Sequence, residues 1–496
     1  MATFTNHDDK QVLPIIISDE PQSISPSTPV IPVHNSHSST PVHHFASATP
    51  SQCTSAVSSA WHAFQTSASP HPFPWKRAPA TLRRDLLLRV ATLFETRRAT
   101  LVDLQKRETS CDDTWANINV TLAVNYIREI ASCVTQIAGT IPPIDKPDTM
   151  AFVYKDPVGV ALVIPPWNGA LVLAGRAVTT AIAAGCTVVM KASELSPGCH
   201  HAIYQIFKEA GLPAGVLNVV CARREDAAQV TEEMIKDDRV RKIEFIGSAA
   251  VGRQIGIVAA KYLKPVLMEL GGKCPAIVLD DADVGRAAVL CAKGAVLNHG
   301  QICFSTERII VMRGVSEEFL GKVKGVVEST EAGGAVSEGI AKHAVDVLQD
   351  AKEKGAEFLT GGPQMTEGNK VKPSLVVVDV KAKRDELRIV DEETFGPSAS
   401  VYIVDTEEEA VELANRSAYG LNATVHTTNL ERGIKIGREL EYGQVHINSI
   451  TVFTSATGPQ GGRSGKSSGW GRQNAMYGLN EYLDEKFITY HGKDSG

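Results

Sequence analysis

The feature that most constrains this chain is a regular alternation that sets in near residue 156. Short runs of strand length, the apolar 158–164 and 187–190 and the next strand at 243–246, each lead into a longer stretch with helical spacing. The 171–184 helix stops at Gly185 and the 199–210 helix at Gly211. Runs of four to seven residues that are apolar throughout, rather than alternating, are what a strand needs when both faces of its sheet are covered. The pattern predicts a parallel sheet with helices on both faces. A second series begins past Gly271–Gly272, with strands at 276–279, 308–311, 375–380, 401–404 and 423–426 and helices at 340–354 and 406–415. Two α/β domains are therefore expected, joined near Gly271. Ahead of them, 83–99 and 116–139 carry helical spacing. Residues 1–40, rich in Ser, Thr and Pro, read as a disordered tail. His34, His37, His43 and His44 lie in or near that tail, and their irregular spacing reads as solvated rather than metal-binding.

Composition narrows the function. A length of 496 residues allows two or three domains, and 43% hydrophobic with 21% charged residues describes an ordinary globular chain. A net charge of −6 without a basic run excludes an electrostatic nucleic-acid binder. No apolar run reaches the roughly 18 residues of a membrane span. The nine cysteines include no CxxC pair or zinc-ligand spacing, which points to reduced thiols, and with no secretory or retention signal the expected location is the cytoplasm.

Several short motifs carry chemistry. Cys303, in Gln301-Ile302-Cys303-Phe304-Ser305-Thr306, follows a helix expected over 284–298 and opened by Asp283, and precedes a strand. A lone cysteine is ordinarily a small buried hydrophobe, yet a thiol at such a junction can stand in a cleft as a nucleophile. Asn168, in Pro165-Pro166-Trp167-Asn168, ends a strand and offers an amide donor to an oxyanion. Glu269, in Met268-Glu269-Leu270-Gly271-Gly272-Lys273, is a carboxylate that an apolar cleft would turn into a general base. Phe245-Ile246-Gly247-Ser248-Ala249-Ala250-Val251-Gly252 is a strand, a turn and a helix start suited to phosphate, though looser than GxGxxG. In Met190-Lys191-Ala192-Ser193-Glu194, Lys191 and Glu194 stand after a strand where ribose hydroxyls would lie, and a carboxylate there would repel a 2′-phosphate. Glu392-Glu393-Thr394-Phe395-Gly396-Pro397 is by itself only a turn.

In order and spacing these pieces, with the closing Ile447-Asn448, resemble the aldehyde dehydrogenase superfamily over roughly residues 45–490. Gly169-Ala170 after Asn168, the Gly175-Arg176-Ala177-Val178 run and Lys191 to Leu195 are similar to the subgroup acting on salicylaldehyde, vanillin and benzaldehyde. The resemblance implies a Rossmann-like NAD domain (41–139 and 158–271), a catalytic domain (272–446), a return to the first domain or the interface (447–483) and an oligomerisation arm (140–157 and 484–496). It implies Cys303 as nucleophile, Asn168 as oxyanion donor and Glu269 as the base for deacylation. Pro166, Trp167, Lys191, Ser193, Glu194, Gly247, Ser248, Leu270, Glu393 and Phe395 would hold the cofactor. That cofactor is expected to be NAD, although Glu194 does not strictly exclude NADP, and no metal is required. Gly169, Leu173, Ile302, Phe304 and Phe453 would line the substrate tunnel, with room for an aromatic ring where Gly169 lacks a side chain. A homodimer or homotetramer is expected.

Two departures stand out. The segment between Lys322 and Gly339 is about ten residues shorter than the family pattern, and Gln473 stands where many relatives carry Glu. The rival readings are a broad aliphatic aldehyde oxidiser, a biosynthetic oxidiser of a larger aromatic or polyketide aldehyde, and a non-catalytic relative.

Overall fold

The computed structural model describes residues 3–36, 38, 40–67, 72–379 and 386–493. Its centre is an eight-stranded sheet in the order Gly469–Trp470, Val266–Glu269, Val240–Ile246, Val160–Ile164, Thr187–Ala192, Leu217–Cys221, Ile16–Ile17, Glu20–Pro21. The five strands from Val266–Glu269 to Leu217–Cys221 are mutually parallel. All five residues of Val160–Ile164 are buried, which its unbroken apolar run requires of a strand covered on both faces. From this strand the chain winds first toward Thr187–Ala192 and Leu217–Cys221, then returns to place Val240–Ile246 on its other side. The order of strands therefore reverses between Val160–Ile164 and Val240–Ile246. A crevice opens at such a reversal, outside the carboxyl ends of the strands. The segments leaving those two ends are Pro165 to Asn168 and Gly247–Ser248.

A seven-stranded sheet runs in the order Glu357–Thr360, Ser374–Val377, Ser398–Val404, Thr306–Met312, Cys274–Val278, Asn422–His426, Gln444–Ile447. Gly271–Gly272 lies between the two sheets, separating Val266–Glu269 from Cys274–Val278. The chain re-enters the first sheet late, where Trp470 pairs with Met268. Thr149–Pro157 and Leu483–His491, distant in sequence, form a long two-stranded antiparallel sheet of their own.

The amino-terminal expectation is corrected. Described residues within 1–40 are folded: Thr5–His7, Lys10–Leu13 and Val30–His34 join Pro41–Ala46 in a four-stranded sheet, and Ile16 pairs with Val219 at the edge of the central one. Val12, Leu13, Ile15, Ile16 and Ile17 are all buried. Averaging composition over forty residues hid that apolar run among the serines and prolines. Nor is His43 solvated: it is buried and its Nε2 lies 2.7 Å from the buried Glu108 carboxylate. His37, and residues 380 and 494–496 at the ends of two expected segments, lie outside the described residues.

Candidate active site

Three elements converge on Cys303. The helix Val284–Val296 is opened by Asp283, whose carboxylate accepts from Arg286 N–H at 3.0 Å. It ends two residues earlier than its spacing suggested, because Asn298, His299 and Gly300 all take positive φ (50°, 59° and 70°). Left-handed backbone costs a non-glycine residue roughly 1–2 kcal/mol, so the reversal must be held from outside. His299 Nε2 accepts from Val371 N–H at 3.2 Å. A Cβ on Gly300 would stand 2.0 Å from the Gly396 carbonyl oxygen, so only glycine fits there. Gln301, buried, donates to the Asn298 and Gly334 carbonyls at 3.0 and 3.3 Å and accepts from Val336 N–H at 2.9 Å. Gly334 and Val336 belong to the 322–339 segment, which is therefore packed directly onto the loop that carries Cys303.

Eight of the nine cysteines are buried, whereas Cys303 is partly exposed. Its backbone is pinned from behind, since a Cβ on Gly272 would meet the Cys303 carbonyl oxygen at 2.2 Å. Burial around the sulfur, then the negative charges of Glu269 and Glu393, push the Cys303 thiol well above its ordinary pKa. Arg176 opposes this. The thiolate thus needs added positive charge or a base to form.

Glu269 ends strand Val266–Glu269 and is 1% exposed. Its Oε2 accepts from Arg176 Nη2 at 2.7 Å, and its Oε1 has only a long contact of 3.4 Å from Gln460 Nε2. Burial raises the Glu269 carboxyl above its usual range, with Arg176 holding it down. Arg176 comes from the nearly wholly buried helix Ala170–Ala184, and its guanidinium lies 5.5 Å from the Tyr126 ring centroid. Tyr126 also lines a recess of about 460 Å³ with Leu122, Asn125, Arg128, Phe453 and Thr454.

Asn168 is buried at the switch point. Its side-chain amide donates to the Gln301 carbonyl at 3.0 Å, and its own carbonyl accepts from Trp115 Nε1 at 2.8 Å. An amide carries two N–H groups, so one remains for another acceptor. Trp115, Arg176 and Gln460 were not singled out as site residues in the sequence. Arg176 stood in a run quoted only for its resemblance. Each acts across 53 to 191 residues of chain, a separation that spacing cannot reveal.

The residues expected to hold a dinucleotide gather at the same crevice. Lys191 is buried, and its ammonium has no hydrogen-bond or ion-pair partner among the described residues. Ser193 N–H donates to His200 Nδ1, and Glu194 is half-buried. Ser248 caps the helix Ala249–Lys261, so the unpaired amides of its first turn face the switch point. Leu270 packs against Gly252 of that helix, where a Cβ would come within 2.6 Å. Trp167 and Phe395, from the two domains, meet edge to face at 5.9 Å. Glu393 accepts from Gly272 N–H at 2.9 Å, and burial with nearby Glu307 raises it to about 8. A free lysine, a helix N-terminus and an aromatic pair across one crevice suit a dinucleotide.

The expected pocket residues are placed unevenly. Phe453 is half exposed and packs its ring against His446 at 5.0 Å. Ile302 and Phe304 are buried in the core, against which Leu173 and Cys303 pack. The room expected at Gly169 is reduced, because a Cβ there would already touch Leu173 at 3.0 Å.

A doubly wound sheet with a ligand crevice, facing a second α/β layer that presents the partly exposed Cys303, is the architecture of a nucleotide-dependent enzyme. The model of the aldehyde dehydrogenase family matches residues 24–488. A salicylaldehyde dehydrogenase of Pseudomonas sp. (strain C18) is 38% identical over 445 residues, 88% of this chain and 89% of the relative. A vanillin dehydrogenase of Pseudomonas fluorescens is 39% identical over 435 residues, 85% and 88% of the two chains. The crystal structure of a salicylaldehyde dehydrogenase from Pseudomonas putida G7, complexed with salicylaldehyde, superposes with a TM-score of 0.91 at 35% identity, covering 97% of this chain and 98% of that one. The chain belongs to the aldehyde dehydrogenase family and is an aldehyde oxidoreductase, of a family that uses NAD(P). Among the described residues no helix is long and apolar enough to cross a membrane.

Proposed function

We propose that this enzyme oxidises an aromatic aldehyde to its carboxylate, with NAD as the preferred oxidant and Cys303, Asn168 and Glu269 as the reacting groups. The observation that carries the reading is the convergence at one crevice of a partly exposed thiol, a spare amide N–H and an under-satisfied buried carboxylate. Cys303 Sγ adds to the aldehyde carbon, and the free N–H of Asn168 stabilises the oxyanion of the thiohemiacetal. When bound, NAD(P) supplies the hydride acceptor that makes oxidation to the thioester possible. Lys191, Ser193, Glu194, Gly247 and Ser248 would hold its adenosine and phosphate end, and Pro166, Trp167, Leu270, Glu393 and Phe395 its nicotinamide end. Glu269 then takes a proton from water as that water attacks the thioester, releasing the acid and the thiol. Glu194, a carboxylate that disfavours a 2′-phosphate, supports NAD over NADP.

The aromatic assignment is supported by the salicylaldehyde and vanillin relatives and by the ring-lined recess at Tyr126 and Phe453. A panel of salicylaldehyde, vanillin, benzaldehyde, hexanal and acetaldehyde with NAD or NADP tests it, beside Cys303→Ala. Turnover of the aromatic aldehydes with NAD, abolished in the variant, is the expected result. A preference for hexanal overturns the aromatic assignment and keeps the thiol chemistry; turnover in Cys303→Ala overturns the mechanism.

The same reading includes a homo-oligomer, dimer or tetramer, assembled through the two-stranded sheet of Thr149–Pro157 and Leu483–His491. Its exposed Met150, Tyr154, Ile488 and Tyr490 lie on one face and support this, because an exposed apolar patch of that kind marks an interaction surface. Sedimentation of Ile488→Glu against the unaltered protein checks it, with a smaller species expected from the variant and an unchanged one overturning the arm assignment.

A further inference from the structure

Beside Glu269 lies a second buried carboxylate that the chemistry above does not use. Glu244, 2% exposed, is on strand Val240–Ile246, which runs parallel to Val266–Glu269 with Ile246 opposite Glu269 and Glu244 opposite Leu267. Registered partners, and residues two apart along a strand, share a face. Glu244 and Glu269 are therefore same-face neighbours, and the buried Arg176 interacts with both. Among the described residues Arg176 hydrogen-bonds to Glu269 and not to Glu244. Glu244 instead accepts from Gln473 Nε2 at 2.8 Å and from the Tyr482 hydroxyl.

The charged groups around this pair do not balance. Lys242, on the same strand, is committed to Glu481 at 2.7 Å. Tyr126 lies against Arg176 from the helix Asp113–Cys133, and the Cys303 thiol also acts on the Arg176 charge. One guanidinium, helped at Glu244 by the charge of Lys242, thus serves two carboxylates in a medium where an unpaired charge is expensive. The two polar supports are themselves tied together. Gln460, which reaches Glu269, and Gln473, which holds Glu244, exchange both backbone hydrogen bonds, at 3.2 and 2.8 Å.

We propose that Glu244 is a positioning residue for the hydrolytic step: once ionised, it competes with Glu269 for the charge of Arg176 and makes Glu269 the stronger base. The proposal rests on the reading of Glu269 as the group that activates water. Burial raises Glu244 to about 7, against the Tyr482 bond and Arg176, so its charge changes in the range where such an enzyme works. Gln473 suits both forms. As oriented, its N–H₂ meets an ionised Glu244, and its buried carbonyl oxygen is without a partner. A half-turn of the amide presents that oxygen to a protonated Glu244.

The test is the decay of the acyl-enzyme made with 4-nitrophenyl benzoate, followed from about pH 5.5 to about pH 9. The expected ratio of hydrolysis rates, unaltered over Glu244→Gln, is near unity at the acid end and rises to roughly three- to tenfold above neutrality. Glu244→Asp, which keeps the charge, restores the rise. A ratio constant with pH overturns the proposal, because a residue that only supports packing slows hydrolysis equally at every pH. If Glu244→Gln fails to fold, Tyr482→Phe serves: losing one donor to the carboxylate must move the step to higher pH, and an unmoved step overturns the proposal. Glu269→Gln separates the two readings. Hydrolysis that survives in that variant removes the base assignment itself, whereas its loss together with a flat Glu244→Gln ratio removes only the role of Glu244.

Discussion

Two buried ion pairs lie a few residues apart in this chain, and they are built to opposite ends. Glu307, 2% exposed, is saturated: Lys273 Nζ bonds to it, and it accepts from Thr394 N–H at 2.9 Å and Phe395 N–H at 3.1 Å. Lys273 in turn bonds to the Glu392 carbonyl at 2.7 Å. That pair fixes a turn in which Phe395 has a φ of 51°. Glu269, equally buried, has one strong donor and one long contact, and it shares its cation with Glu244. A carboxylate surrounded by donors serves as a rivet. One left short of donors keeps a pKa that can move, as general-base chemistry requires. Burial alone does not separate the two; the count of donors does.

The largest expected effect comes from removing the rivet. Glu307→Ala strands the Lys273 ammonium and two backbone N–H groups, and should cost about 3–5 kcal/mol of stability, read from the denaturant midpoint. Glu269→Gln should lower hydrolysis about 10²- to 10³-fold while sparing the first acylation burst. It should also cost less stability than Glu307→Ala, since Glu244 remains beside Arg176. A loss of stability as large as in Glu307→Ala, with hydrolysis intact, would make the two pairs equivalent.

Arg176→Met tests the intermediate case. Arg176 holds the Glu269 carboxyl down, so its removal must raise that pKa further. The ionised base then appears only at higher pH, and the acid limb of the hydrolysis profile should move upward by about one to two units. A downward shift contradicts the assignment. Smallest is Gln460→Leu, which removes a 3.4 Å contact and should change hydrolysis by less than about fivefold, as befits a weak hydrogen bond.

Much of this was legible before any coordinates. The strand-helix alternation gave the doubly wound architecture, because parallel strands buried on both faces leave unbroken apolar runs. Asp283 marked a helix start because capping is local chemistry. Cys303, Asn168 and Glu269 stand out in the sequence as candidates because each sits in a short run with its own turn residues. What stayed hidden depends on contacts between distant segments. Arg176 reaches Glu269 only because helix Ala170–Ala184 packs on the sheet at Val160–Ile164 and Thr187–Ala192, in the layer that also holds Val266–Glu269. Trp115 finds Asn168 only because helix Asp113–Cys133 covers the same face. The left-handed turn at Asn298 and His299 could not be read locally, since its supports are Val371 and Gly396. The tail was misjudged for a different reason: a buried run of six residues, 12–17, was averaged with its polar surroundings.

That tail has a practical side. Ile16–Ile17 and Glu20–Pro21 finish the central sheet beyond Leu217–Cys221. A version of the protein trimmed to residue 41 would leave the Leu217–Cys221 strand with bare N–H and C=O groups along one side. Exposed strand edges recruit other chains. Such a version is expected to come out of expression as aggregate, so a purification tag belongs ahead of residue 3, with both edge strands kept intact.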